Sequence, residues 1–128
     1  MGLFNFFKRK AEPQEDEPKE KYWLLRTNEH DVVDPTWEQI VASVKNALPE
    51  EGLFATLAYN HSGLEIDSIQ VLGDKAAYHD LYRFEALSPD GMIYVKHDLP
   101  YDETIKLFED FFENQIVVGY ESWEKSSY

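Results

Sequence analysis

Four β-patterned segments run from Leu53 to Leu99 with only short connections between them, and that succession limits the fold more than any other feature of the chain. Leu53–Tyr59 leads through Asn60-His61-Ser62-Gly63, residues with hairpin-turn chemistry, into Leu64–Leu72. Gly73-Asp74-Lys75 turns again before Tyr78–Leu87, and Ser88-Pro89-Asp90-Gly91 turns once more before Met92–Leu99. Links this short cannot hold the crossover that parallel strands need, so an antiparallel meander is expected. The alternation breaks near Asp67-Ser68, where a bulge is expected.

Amphipathic helical patterns bracket the meander. Asp34-Pro35 reads as an N-cap followed by proline at the first helical position. Trp37, Ile40, Val41, Val44 and Leu48 then fall on one helical stripe, which Pro49 and Gly52 end. Beyond Pro100, Tyr101, Ile105, Phe108 and Phe112 form a second stripe, widened by Leu107 and Phe111. Glu103, Lys106, Glu109, Asp110 and Glu113 cover its other side. Tyr22–Thr27 reads as a strand, Asn28–Asp34 as a loop, and Tyr120–Trp123 as a segment returning to the sheet edge. The expected class is α+β, an antiparallel meander of four to six strands in the order β-α-β-β-β-β-α with a last short β. Both helices pack on one face, and the other face stays partly open. Along the third segment Tyr78, Asp80, Tyr82, Phe84 and Ala86 share a side; along the fourth, Ile93, Val95 and Leu99 oppose Met92, Tyr94 and Lys96.

Residues 22–128 are read as one domain, since a chain of 128 residues with 43% hydrophobic and 15% aromatic residues can bury a real core. Residues 11–21, AEPQEDEPKEK, have the composition of a disordered acidic linker. Residues 1–10 form an apolar-basic tip, in which Leu3, Phe4, Phe6 and Phe7 precede Lys8-Arg9-Lys10. That order is the reverse of a signal peptide, and the apolar run is too short to span a bilayer. Phe6 stands where a myristoylation motif needs Ser or Thr. Membrane contact through residues 1–10 is the lesser reading, because stable anchoring needs two signals. With no cysteine, no disulfide can form, which suits a reducing compartment and a cytoplasmic, bacterial-style protein.

The net charge is −13, and residues 22–128 alone hold seven Lys/Arg against twenty Asp/Glu. Such a surface repels nucleic acid and anionic lipid, and attracts a basic protein. The same acidity also serves plain solubility. His30, His61, His79 and His97 do not show the convergent spacing of a metal site, so no metal ligand is assigned. Neither a nucleophile motif nor a phosphate loop occurs, so no catalytic residue and no cofactor is assigned.

What remains is a set of rings next to charges. Tyr78, Asp80, Tyr82 and Tyr94, with Trp23 and Trp123, are taken as a binding face on the side of the sheet that the helices leave free. The competing reading places some of these rings in the core with Phe84. The acidic meander Ile69-Gln70-Val71 through Tyr82-Arg83-Phe84-Glu85, the helix Leu107-Phe108-Glu109-Asp110-Phe111-Phe112 and the closing Trp123-Glu124 carry a likeness. The stretch from Trp37 to Trp123 resembles small bacterial immunity-type proteins of polymorphic toxin systems, within a wider set of small α+β proteins. The resemblance implies a cytoplasmic protein that blocks a cognate toxin by binding it. The expected function is therefore a non-enzymatic, acidic protein-binding module whose partner is a protein, in particular a basic one. The alternatives are a small-molecule-binding or enzymatic α+β domain with a pocket between sheet and helices, a membrane-peripheral accessory protein, and, at the level of partners, a homodimer.

Overall fold

In the computed structural model, which describes residues 19–47, 53–73 and 81–127, the alternating segments pair into one seven-stranded sheet. The strands are β1 (Tyr22–Thr27), β2 (Asp31–Val33), β3 (Phe54–Asn60), β4 (Ser68–Gly73), β5 (Leu81–Leu87), β6 (Met92–Pro100) and β7 (Glu124–Ser127). The helices are α1 (Trp37–Ala47) and α2 (Tyr101–Asn114), and a short 3-10 turn spans Tyr120–Ser122. The sheet order is β2-β1-β3-β4-β5-β6-β7, and every neighbouring pair is antiparallel. The fold is thus α+β with a meander at its centre. It has seven strands, one more than the six expected at most, because a short strand, β2, is added at one edge; the expected last short strand forms at the other as β7.

The added strand comes from the stretch expected to be loop. Asp31–Val33 folds back on β1, with Arg26 Nε donating to Asp31 Oδ1 at 3.1 Å. The backbone N–H groups of Glu29 and His30 donate to Thr27 Oγ1 at 3.2 and 3.3 Å, which fixes the turn. Asp34 closes this hairpin instead of capping α1. Its φ is 51°, its N–H donates to Trp23 O at 2.8 Å, and its Oδ1 accepts from Trp23 N at 3.2 Å. The cap is Thr36. Gln39 N donates to Thr36 Oγ1 at 3.2 Å and Thr36 N donates to Gln39 Oε1 at 2.9 Å, a reciprocal capping box.

β4 begins at Ser68, four residues later than the sequence pattern places it. Residues 61–67 instead make a loop. Tyr59 N donates to Asp67 O at 2.8 Å and Asp67 N to Leu87 O at 3.2 Å, while Ile66 turns into the core at 5% exposure. The break at Asp67-Ser68 is therefore the end of a loop. A register shift falls elsewhere, between Tyr82 and Phe84 on the β5–β6 pair, next to Asp98 with φ 60°. This slip moves Leu99 opposite Tyr82, on the side of Phe84 and not on the side of Ile93 and Val95. Likewise β7 is Glu124–Ser127, and Tyr120–Ser122 is the turn before it. Leu48, Pro49, Gly52, Asp74 and Lys75 lie outside the described residues, as do residues 1–10 and 11–18.

Both helices cover the same face. Leu25, Leu57, Ile69 and Ala86 form one line of cross-strand neighbours, and Ala55, Val71 and Phe84 form the next. Each of these seven is 1% exposed or less. Against them α1 buries Ile40, Val44 and Ala47, and α2 buries Thr104, Phe108 and Phe111. Each large side chain so buried contributes about 1.5–3 kcal/mol relative to exposure, so this face supplies most of the apolar drive to fold. The stripe on α2 centres on Thr104, Phe108 and Phe111, while Ile105 and Phe112 are half-buried at its margin. Thr104 tolerates burial because its Oγ1 donates to Pro100 O at 2.9 Å.

Candidate functional site

Alternation along each strand decides where the ring residues go. Tyr82, two residues from Phe84 on β5 and opposite Leu99, lies on the same side as Phe84 and is wholly buried. Its hydroxyl donates to Val44 O at 2.7 Å, and burial raises its pKa well above the ordinary phenol range. Trp23 stacks on Tyr59 at 4.1 Å with 5° between planes, and meets Phe111 and Phe112 edge-on at 5.4 and 5.1 Å. Trp123 meets Phe84 edge-on at 5.6 Å, and Tyr94 meets Tyr120 at 4.9 Å. All four rings therefore belong to the helix-covered side. The expectation that Trp23, Tyr82, Tyr94 and Trp123 line the free side is corrected, because edge and stacking contacts with helix and loop rings hold them inward. Tyr78, Asp80 and His79 lie outside the described residues.

The opposite face carries a different set, sorted into transverse rows by the register. One row runs Val33, Leu24, Ala58, Ser68, Leu87, Ile93 and Ser126 across all seven strands. It is mainly apolar, and Val33 at its edge is 60% exposed. The next row is Asp31, Arg26, Thr56, Gln70, Glu85, Val95 and Glu124. Hydrogen bonds tie much of it together. Thr56 Oγ1 donates to Gln70 Oε1 at 2.9 Å, Gln70 Nε2 donates to Glu85 Oε1, and Arg83 Nε donates to Glu85 Oε2 at 2.8 Å. Glu85 is only 6% exposed, and these two lateral partners satisfy its carboxylate. Arg26–Asp31 and His97–Glu124, each 3.1 Å apart, hold the two ends. No described helix packs on this face, so it presents an apolar row beside a row of charges fixed in place. No sequence signal ranked these residues, since the rows exist only once the register is set.

A groove of about 600 Å³ opens at the rim of the covered side. Leu99 on β6, Leu107 on α2, and Val118 and Trp123 on the segment after α2 give it apolar walls. Lys96, Asp102, Glu103, Lys106 and Asp110 surround them. Lys106 Nζ is 2.9 Å from Asp110 Oδ1, and this hydrogen bond raises the ammonium pKa, helped by Asp110, Glu109 and Glu113 charges. The helix wall is strongly acidic, with five carboxylates between Tyr101 and Asn114 against one lysine. On the next side of the same loop, Tyr120 donates to Glu65 Oε1 at 2.6 Å; that carboxylate, then burial, pushes its phenol up to about 12. Asp67 is also raised, by burial.

Among the described residues no three of His, Asp or Glu come together as metal ligands, and no helix is long and apolar enough to cross a membrane. Comparison with family models, with curated proteins and with solved structures finds no match to this chain.

Proposed function

We propose that this chain is a non-enzymatic protein-binding module that holds a folded protein on its uncovered sheet face. Neutralising a basic toxin, as immunity-type proteins do, is the most concrete form of that role. The observation that carries the reading is the row Val33, Leu24, Ala58, Leu87 and Ile93, laid beside charge pairs on a face over which no described helix packs. Six strand spacings of about 4.8 Å by roughly 20 Å of strand give a surface of about 600 Å². One partner's share of a standard interface is roughly 800 Å², so the face is large enough to be most of one. The apolar row, with Val33 exposed at its edge and Leu24, Ala58, Leu87 and Ile93 half-buried, supplies the apolar strip of such an interface. The charges flanking the row are already paired within the sheet, which lets them sit at an interface without a large desolvation cost. The net charge of −13 adds attraction for a basic partner and sets its approach.

Affinity capture from the native cell tests this directly. The parent chain should recover a basic protein. Val33→Arg combined with Leu87→Arg should lose it, because two cations on the apolar row repel a basic surface. Both chains should melt alike, since Val33 is 60% exposed and Leu87 lies on the open side. Equal recovery by parent and variant would remove the face from the binding site.

A further inference from the structure

The groove beside α2 has a chemistry that the binding-face reading does not use. Its walls are apolar, and the acids that line it, Asp102, Glu103 and Asp110, outnumber Lys96 and Lys106, of which Lys106 is paired with Asp110. An occupant that satisfies both must be apolar and basic in close succession. The chain contains one such stretch: Leu3-Phe4-Asn5-Phe6-Phe7 followed at once by Lys8-Arg9-Lys10, with no acid among residues 1–10. We infer that the groove formed by Leu99, Leu107, Val118 and Trp123 is the docking site of residues 3–10 of the same chain.

Several physical points support this match. Rings and a leucine fill an apolar cleft of about 600 Å³ well, since four such side chains are of that order in volume. Three cations placed beside Asp102 and Glu103, which line the groove, gain Coulomb energy that increases as the cleft excludes water. Val118 is 59% exposed at the lip of the groove, an apolar side chain left for something to cover. Reach is also adequate. From Tyr22 on β1 to the groove beside β6 is four strand spacings, about 19 Å, and about 20 Å along the strands. The direct span is then roughly 28 Å, while residues 11–21, with two prolines, extend to about 34 Å at about 3.1 Å per residue. Tethering in this way gives the segment a high effective concentration at the groove, so even a weak contact is populated. This docking is independent of the sheet face, because the groove opens on the covered side of the sheet.

The absence of cysteine makes the test clean. In the full chain, Asn5→Cys keeps every apolar and basic side chain of the segment. It is paired with Val118→Cys at the groove, or with Val33→Cys on the opposite face at matched exposure, 59% against 60%. Under one mild oxidant the Val118 pair should close an intramolecular disulfide roughly tenfold faster than the Val33 pair. Changing Lys8, Arg9 and Lys10 together to Gln should bring the two rates together, as should high salt. Equal rates in the parent background would overturn the inference. So would a disulfide formed only between chains, or a preference for Val118 that survives neutralisation of the three cations.

Discussion

Replacing Tyr82 with Phe removes one oxygen atom and nothing else from the centre of the covered face. The ring is wholly buried, so its packing against the strands and α1 stays as it is. What goes is the hydrogen bond from the hydroxyl to Val44 O, 2.7 Å long. Val44 sits in the last turn of α1, where helix carbonyls lack partners within the helix. Its carbonyl is then left buried without that donor. Stranding a buried acceptor costs about 1–3 kcal/mol, against a net worth of about 0.5–1.5 kcal/mol for an ordinary hydrogen bond. Urea unfolding followed by far-ultraviolet circular dichroism should therefore show Tyr82→Phe destabilised by about 1–2 kcal/mol with an unchanged slope. Tyr82→Ala, which also opens a cavity, should lose about 3–5 kcal/mol. A Phe variant as stable as the parent would refute the placement of the hydroxyl against α1. A stable Ala variant would put the ring on the surface.

The capping box gives a second expectation. Thr36→Ala should cost about 1 kcal/mol, and Asp34→Ala should act through the β1–β2 hairpin and leave the helix start intact, as amide exchange at Gln39 would report. The pH dependence follows from Tyr120. Its folded pKa is raised, so the folded state keeps a proton that the unfolded state gives up. Its contribution is full below the ordinary phenol value near 10 and is lost as pH climbs toward about 12. Stability should fall over that window, and Glu65→Gln should lower the phenolate titration seen by ultraviolet absorbance. Asp67, raised by burial, works in the same sense at low pH: its contribution is present in acid and is lost as it ionises.

The turns and alternation between Leu53 and Leu99 were enough to read the meander, because short links leave strands no choice but to run antiparallel. The side assignment failed at Tyr82, although the pattern contained the answer. Tyr82 and Phe84 are two residues apart on one strand, so a core role for Phe84 puts Tyr82 in the core as well. A phenol looks fit for the surface until a carbonyl such as that of Val44 is found within reach. Thr104 was missed for the same reason: a buried hydroxyl satisfied by the preceding turn has no apolar signature. Asp34-Pro35 drew attention away from Thr36 and Gln39, which carry the actual cap. β7, with the sequence Glu-Lys-Ser-Ser, has no strand pattern and exists only because β6 offers it an edge. The rows on the open face and the groove beside α2 are products of register and of contacts between distant segments, which no local pattern encodes.

Single cysteines placed on neighbouring rows measure most directly whether only one face of the sheet is covered. Ala58→Cys and Ser68→Cys lie on the open side, while Ala55→Cys and Ala86→Cys lie under the helices, and each change is small in volume. A thiol reagent should label the first two readily and the second two only on the slow timescale of unfolding, since Ala55 and Ala86 are fully buried. Protection at Ala58 and Ser68 equal to that at Ala55 and Ala86, in the protein alone, would mean that the supposed free face is already occupied, and would contradict its role as a binding surface.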